Sequence, residues 1–307
     1  MFKVLLEESI MQIDTPASAG SKMLESFIAP FDATVVTLLK SAGVQPLGRL
    51  SFSEFGTGGL FSDQNDTLTS AVNFFADSSF DAVLCNDYTG AISAAAGTQG
   101  LYYIHPTYGT VSRYGLVPSV CSMDQIGVLC RDIKTGFKIL DIIKCVRGQA
   151  FSPVPMTQSS PPVPFHQPYY DIYPQIMHIL CSAELSANLS RYDGIKFGYR
   201  AKDYNNLNEL YTKSRTQTFG EDTKLAMLIG AVVLSKDNYL LYYNKAMCLR
   251  RMIKQSLNIE KSSVIKSNSD QKSHFSVLSR LCGLPSLTTP NDTFIANTGC
   301  EELLYGV

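Results

Sequence analysis

Apolar and polar positions in the first ninety residues follow two different spacings. Short apolar runs at 2–6, 44–47 and 82–84 are typical of buried strands. Between these runs, apolar residues recur at helical spacing and predict helices over 32–43 and 67–76. Because strands and helices alternate in this order, the pattern favours an α/β fold with helices on both faces of a sheet.

Helical spacing returns in the second half of the chain, where it predicts helices over 133–146, about 222–233 and about 239–255. Asp32 precedes the first apolar-periodic residues of its segment and is therefore the predicted N-cap of the helix over 32–43. Residues 262–272 are mainly polar and predict a flexible loop.

Seven of the 14 prolines fall within residues 151–174. Proline has no backbone N–H and cannot continue a helix or a central strand, so regular structure is not expected there. Because helical patterns resume beyond it, we interpret 151–174 as a Pro-rich surface connection inside a single domain over 1–307.

Composition and charge argue against a nucleic-acid-binding, membrane-spanning or secreted protein. Lys and Arg together number 26 and Asp and Glu 27, so the net charge of −1 provides no global attraction to nucleic acid or to an anionic membrane. No run reaches about 18 apolar residues, the length that predicts a membrane span. The apolar start is too short for a signal peptide, so a cytoplasmic protein is expected. The eight cysteines lack the spacing of metal ligands, and no metal or cofactor is predicted.

Five stretches resemble the amidase signature family. The strongest reads PTYGTVSRYGL at 106–116 and is followed by SMDQIG at 122–127; weaker matches lie at 30–36, 190–198 and 282–286. The likeness covers nearly the whole chain and is greatest to the A subunits of bacterial tRNA-dependent amidotransferases, which make Gln-tRNA or Asn-tRNA. It implies a mixed β-sheet flanked by helices on both faces. The family's leading helical segment has no counterpart here, so the domain is expected to be N-terminally shortened.

The resemblance implies a catalytic triad of a Lys, a bridging Ser in a cis peptide and a nucleophilic Ser. In this sequence the three matching positions are occupied by Glu7, Thr67 and Ala91, respectively. Glu7 reverses the charge that the family's site expects, and Ala91 has no hydroxyl. The triad is therefore expected to be lost.

The resemblance also assigns a former oxyanion-binding turn to Tyr88, Thr89 and Gly90, with Thr89 in place of a glycine. Tyr88, if it points inward, is expected to fill part of the former glutamine pocket. Arg250 matches an arginine that holds the substrate in the family and is the substrate-binding candidate. The family's matching Asp is replaced by a residue near Ser273.

The sequence also contains other candidate catalytic residues near the turn. Cys85 precedes the turn, His105 is the nearest histidine in sequence, and Ser93 lies two residues beyond Ala91. Whether Cys85 and His105 touch depends on the fold. Two further histidines, His166 and His178, are interpreted as surface or packing residues.

These observations favour an amidase-like protein without amidase activity and with a binding or scaffold role. The expected partner is a protein resembling the amidotransferase B subunit, with no direct contact to nucleic acid. One alternative is a functional A subunit that releases ammonia from glutamine for transamidation of Glu-tRNA(Gln) or Asp-tRNA(Asn) in protein biosynthesis. Another is a degenerating gene product without a selected role.

Overall fold

The computed structural model describes residues 2–61, 66–145, 160–164, 170–257, 259–267 and 272–306. Within these residues, nine strands form one sheet in the order β2-β1-β3-β5-β4-β8-β9-β7-β6. The strands are β1 (Val4–Glu7), β2 (Pro46–Leu50), β3 (Ala82–Asn86), β4 (Tyr102–His105), β5 (Ile126–Cys130), β6 (Ser160–Pro164), β7 (Ser263–Lys266), β8 (Ser286–Thr288) and β9 (Thr293–Ala296).

The sheet is mixed, as the resemblance implied. β1 pairs in parallel with β2 and β3. The pairings from β3 through β5, β4, β8 and β9 to β7 are antiparallel, and β6 joins β7 in parallel. The helices of the described residues are α1 (Thr34–Ser41), α2 (Asp66–Asp77), α3 (Ala91–Thr98), α4 (Ile133–Ile143), α5 (Tyr173–Leu189), α6 (Leu207–Thr218), α7 (Glu221–Val233), α8 (Lys245–Ser256), α9 (Lys272–Cys282) and α10 (Glu301–Tyr305).

Alternate residues of the central strands face opposite layers of helices. Val4 and Leu6 of β1 pack in a buried cluster with α1 and α4. Leu5, between them, packs with Val83 in a second cluster formed by α2 and α3. This two-residue period is the geometry of an extended strand, and it buries both faces of the sheet. The predicted α/β architecture with helices on both faces is confirmed.

The first helix begins later than the sequence pattern predicted, and Asp32 does not cap it. Ala33 is the N-cap of α1 and makes no side-chain cap. The Asp32 carboxylate instead accepts the Ile13 N–H at 2.9 Å and pairs with Lys40 at 2.6 Å. The Asp32 prediction was wrong because a partner 19 residues earlier competes for the carboxylate.

Two segments predicted to lack regular structure contribute strands. The polar segment 262–272 contains β7, and the Pro-rich segment 151–174 contains β6. β6 lies at the edge of the sheet, where proline is tolerated because an outward N–H is not needed by a neighbouring strand. Pro174 lies in the first turn of α5, where a missing N–H costs no helical bond. The rest of that connection, 151–159 and 165–169, lies outside the described residues.

The predicted helix over 239–255 is divided into two parts. The first is a wide helical turn over Leu240–Asn244, and the second is α8. Upstream, α7 packs along α5 at a close crossing. A Cβ at Gly230 would lie 2.0 Å from the Ser182 carbonyl oxygen, so only glycine permits this approach.

Candidate functional site

A cavity of about 660 Å³ opens beside the N-terminus of α3. Its walls come from α2, α3 and the start of α5, with one residue of α9 and the loop before α2. Thr89, Gly90 and Ala91 line it, so the turn that the resemblance singled out does border a cavity. Apolar side chains supply much of the remaining wall: Leu60, Phe61, Leu68, Val72, Met177 and Val277.

Ala91 begins α3 and packs closely against Gly59, which also lines the cavity. A Cβ at Gly59 would lie 2.4 Å from the Ala91 Cβ, and Gly59 has a φ of +77°, which favours glycine. The Ala91 N–H donates to the Thr89 hydroxyl at 3.2 Å, and that hydroxyl donates to the Gly58 carbonyl at 3.1 Å. The Thr89 hydroxyl therefore accepts the backbone N–H of Ala91, the residue that the resemblance matches to the family's nucleophile.

The next two N–H groups of α3 are also engaged. The Asp87 carboxylate accepts the N–H of Ile92 and the N–H of Ser93, each at 3.0 Å. A helix N-terminus attracts anions when its first backbone N–H groups have no other partner. Because residues 91–93 already donate to Thr89 and Asp87, these three donors are not available to a substrate oxygen.

A buried arginine holds this turn from the side of α9. Arg280 is 1% exposed and donates to the Asp87 carboxylate at 2.9 Å and to the Asp87 carbonyl at 3.1 Å. It also donates to the Ser93 hydroxyl at 3.1 Å. The pair neutralises a carboxylate that would otherwise be buried without a counter-ion. Sequence reasoning missed Arg280; its only signal is a charged residue among the apolar positions of α9.

Glu7 lies at the end of β1 and is 4% exposed. Its carboxyl accepts the Asn86 N–H at 2.5 Å. The pKa of Glu7 is raised to about 7; burial is the largest cause, the nearby carboxylates of Asp87 and Asp124 add to the rise, and the Asn86 N–H opposes it. Glu7 does not line the cavity described above. A carboxyl therefore sits behind the β3–α3 turn, at the position where the resemblance expects a lysine.

Thr67 and Arg250 are not among the described residues that line the cavity with Ala91. Thr67 is exposed in the first turn of α2 and lines shallow depressions outside the cavity. Arg250 donates to the Leu281 carbonyl at 2.6 Å and to the hydroxyl and carbonyl of Ser122 at 2.8 and 2.9 Å. Its guanidinium thus joins α8 to α9 and to a loop, and Arg250 is not among the described residues that line the cavity.

Tyr88 points into the protein but leaves the cavity open. It is fully buried, and its hydroxyl donates to the Phe55 carbonyl at 2.9 Å. A Cβ at Gly56 would lie 2.7 Å from the Tyr88 ring. The ring therefore packs against the 55–56 turn, and Tyr88 is absent from the described cavity wall.

The other candidate nucleophiles do not reach the cavity among the described residues. Cys85 is fully buried, and burial raises the pKa of its thiol well above the ordinary value, which disfavours the reactive thiolate. Burial likewise lowers the pKa of His105 well below its usual range. The Ser93 hydroxyl is buried and donates to the Gly90 carbonyl at 2.8 Å.

His178 lines the cavity, where it is half-buried beside the ring of Phe61, with ring centroids 5.6 Å apart. Burial lowers its pKa, so the neutral imidazole is favoured. His166 lies outside the described residues. In the part of the chain that the structure describes, no three His, Cys, Asp or Glu side chains form a group that could hold a metal ion. No described helix is long and apolar enough to cross a membrane.

Comparison with known proteins agrees with the resemblance. A sequence model of the family described as Amidase matches residues 4–66. The chain is 32% identical to the A subunit of the glutamyl-tRNA(Gln) amidotransferase of Lachnoclostridium phytofermentans, over 83% of this chain and 64% of that protein. It is 30% identical to the protein of the same name from Wolinella succinogenes, over 82% of this chain and 69% of that protein.

The chain therefore spans slightly less than two thirds of the first of these relatives and slightly more than two thirds of the second. Among solved structures, the A subunit of the glutamyl-tRNA(Gln) amidotransferase of Thermotoga maritima superposes with a TM-score of 0.74 at 21% identity. That superposition covers 100% of this chain and 81% of the other, and it shows a shared fold. On the fold, the sequence identity and its coverage together, this chain belongs to the amidase family.

Proposed function

We propose that this chain is an amidase-family protein that binds a ligand or a partner without hydrolysing amides. The observation that carries the proposal is the pair of Ala91 and Thr89 beside the cavity. Ala91 supplies no hydroxyl, and its N–H is bonded to Thr89. Amide hydrolysis by this route needs a nucleophile and an oxyanion-binding turn, and the resemblance puts Ala91 at the first and Thr89, in place of a glycine, in the second.

The missing hydroxyl and the replaced lysine would both be needed for the same hydrolysis reaction. Removing a nucleophilic hydroxyl alone costs several orders of magnitude in rate, and groups that act as a unit are not replaced one at a time. Glu7 stands on the far side of the turn, buried with its carboxyl bonded to Asn86. Its geometry supports a structural role, since it does not line the cavity.

The alternative is a working A subunit that releases ammonia from glutamine for transamidation of Glu-tRNA(Gln) or Asp-tRNA(Asn). It is favoured by the curated relatives, which carry that name and are about 30% identical to this chain. Against it, the described cavity wall contains no carboxylate, lysine or arginine that would hold an amino acid.

An ammonia assay separates the two functions. The purified chain is incubated with glutamine, asparagine and phenylacetamide, both with and without an amidotransferase B subunit. In every case, ammonia is expected at the level of a heat-denatured sample. Turnover above that level would contradict the proposal, provided that it is lost in Ala94→Phe, which fills the cavity, and kept in the matched helix-surface variant Ala187→Phe.

For the scaffold role, the exposed surface of α7 and the turn after it is the proposed contact region. Leu225, Leu228 and Val232 recur on one exposed face of α7. The turn that follows exposes Leu240 and Leu241, at 67% and 55%. Several exposed apolar side chains on one helix face are typical of a protein–protein contact. The proposed partner is a protein resembling the amidotransferase B subunit.

The proposed setting is the cytoplasm. All eight cysteines are free, which is typical of a protein kept in a reducing compartment.

A further inference from the structure

We infer that the turn over Leu240–Asn244 and the outer side of α8 bind a protein surface that has an apolar centre and acidic side chains around it. The inference deepens the proposed function and rests on it for the presence of a partner. It extends the proposed contact region from α7 and the turn onto α8, and it assigns the charge of the surface that the partner brings.

The turn and α8 expose several large apolar side chains. Leu240, Leu241 and Tyr242 of the turn are exposed, and so are Met247 and Met252 of α8. Tyrosine and methionine are enriched in protein–protein interfaces relative to the rest of a protein surface. Transfer of such side chains from water to a partner favours a complex by about 25 cal/mol per Å² of apolar surface, before the costs of association.

One side of α8 faces away from the protein. α8 packs against α5 and α9. On its other side, Lys245, Cys248 and Met252 follow one another at spacings of three and four residues, and all three are exposed. Arg251 and Lys254, three residues apart, are exposed beside them. Residues at these spacings are neighbours on a helix surface, so apolar and basic side chains share the outer side of α8.

The basic side chains of this outer side are not neutralised within the described part of the chain. Lys245, Arg251 and Lys254 form no ion pair with any residue that the structure describes. No Asp or Glu occurs in the sequence from 238 to 257. The whole chain has 26 basic and 27 acidic residues, so this excess of positive charge is local. It attracts a negatively charged surface, which the net charge of the chain does not.

The same charges discriminate among the surfaces that could cover this region. A second copy of the chain, docked through the same side of α8, would bring identical cations together, which is unfavourable. Binding to an anionic membrane typically uses clusters of about four to eight Lys or Arg residues, and the outer side of α8 exposes fewer. A protein with Asp or Glu around an apolar patch satisfies both the apolar and the basic side chains, as in an interface with a polar rim.

Two synthetic amphipathic helices test the inference. Both carry leucine at the first and fourth positions of each heptad; the other positions hold alanine with glutamate in one peptide and alanine with lysine in the other. Fluorescence anisotropy is expected to show saturable binding of the acidic peptide, at least about tenfold tighter than that of the basic one. Raising NaCl from about 0.05 M to about 0.5 M should weaken it at least about fivefold, because salt screens exposed charges. Absence of saturable binding, or equal affinity for both peptides, would overturn the inference.

Two matched charge reversals locate the contact. The variant Lys245→Glu with Arg251→Glu is expected to weaken binding of the acidic peptide at least about tenfold. Lys134→Glu with Lys138→Glu changes two exposed lysines of α4, in the helix layer shared with α1, and should bind like the wild type. Thermal unfolding establishes that both variants are folded. Unchanged binding in the α8 variant, or the same loss in both variants, would overturn the assignment.

A cysteine on α8 reports where the peptide lies. Cys248 and Cys145 are both free and exposed. With the acidic peptide bound, alkylation by N-ethylmaleimide, followed residue by residue with mass spectrometry, is expected to slow at Cys248 and to be unchanged at Cys145. Unchanged alkylation at Cys248 under saturating peptide would place the contact elsewhere and contradict the inference.

Two further probes separate this inference from the proposed function. Co-sedimentation with phosphatidylglycerol vesicles, lost in the α8 variant and without any peptide binding, would make a lipid surface the occupant and overturn the inference. Binding to an amidotransferase B subunit that the α8 variant leaves unchanged would keep the proposed partner and overturn the inference. Binding of the acidic peptide without binding of the B subunit would keep the inference and defeat the proposed partner.

Discussion

Ala91 and Thr89 stand side by side at the N-terminus of α3, and their side chains decide what this turn can do. Ala91 presents a methyl group to the cavity, where the resemblance places the family's nucleophilic hydroxyl. The Thr89 hydroxyl satisfies the Ala91 N–H, and Asp87 satisfies the next two N–H groups. The N–H groups of the first three residues of α3 are therefore satisfied without any substrate.

Restoring the family residues is expected to leave the chain inactive. The triple variant Glu7→Lys, Thr67→Ser and Ala91→Ser still has Thr89 on the oxyanion turn, and residue 67 remains exposed on α2. Catalytic groups must lie within about 0.5 Å of their working positions. Ammonia release from glutamine should stay at the level of the denatured control. Clear turnover by the triple variant would show that the site geometry is intact.

The Glu7 carboxyl makes stability depend on pH in a defined direction. Its pKa is about 7 in the folded chain and 4.5 as the ordinary value. Because the folded pKa is the higher one, the folded state is favoured while the carboxyl is protonated. That contribution is complete below about pH 4.5 and is lost as the pH rises to about 7, by roughly 3 kcal/mol in total.

Urea unfolding of the wild type and Glu7→Gln between pH 4 and 9 measures this contribution. Glutamine keeps an oxygen that can accept the Asn86 N–H but does not ionise. The difference in the free energy of unfolding between the two proteins should change in favour of Glu7→Gln as the pH rises from 4.5 to 7. A difference that is constant over this range would mean that Glu7 ionises in the folded protein at its ordinary pKa.

Among the elements, α9 is joined to the β3–α3 turn by one ion pair. Arg280 and Asp87 are both essentially inaccessible, with side-chain exposures of 0% and 1%. Arg280 also donates to the Ser279 hydroxyl at 2.8 Å within its own helix. A buried pair of this kind adds little over an apolar pair, but breaking it leaves a buried charge behind.

Arg280→Ala is expected to destabilise the protein by about 3–5 kcal/mol, because Asp87 then lacks its counter-ion. Lys266→Ala is the control. Lys266 pairs with Asp292 at 2.9 Å but is 42% exposed, so its loss should cost at most about 1 kcal/mol. Denaturant unfolding at pH 7 compares the two variants. Equal losses would contradict a special role for the buried pair.

In the molecule as a whole, the two sides of α7 differ in character. One side packs along α5 through Gly230, and the other exposes Leu225, Leu228 and Val232. Leu228 and Leu240 are each 67% exposed. An isolated exposed leucine is ordinary, whereas several exposed apolar side chains on one helix face are typical of a contact region.

The variant Leu228→Glu with Leu240→Glu is expected to weaken binding to an amidotransferase B subunit by at least about tenfold, because it places two charges in an apolar contact. Leu207→Glu, at a position of α6 that is 54% exposed, serves as the matched control and should bind like the wild type. Surface plasmon resonance with the immobilised B subunit measures both. Absence of wild-type binding, or the same affinity in all three chains, would contradict the proposed contact region.

What the sequence determined by itself follows from local periodicity and side-chain chemistry. The helix over 67–76 and the strand at 82–84 match α2 and β3 within two residues, because helical and extended spacing are properties of neighbouring residues. The absence of a hydroxyl at Ala91 is likewise independent of folding. The motif at 106–116 indicated the family without any coordinates.

What only the tertiary structure decided involves partners that are distant in sequence. Arg280 and Asp87 are separated by 193 positions, and no local pattern brings them together. Arg250 donates its hydrogen bonds to Ser122 and Leu281. The proline-rich β6 pairs in parallel with β7, which lies far from it in sequence. The cavity itself is the space left between separate elements. Its volume and wall depend on how whole elements pack, which a residue's immediate neighbours do not encode.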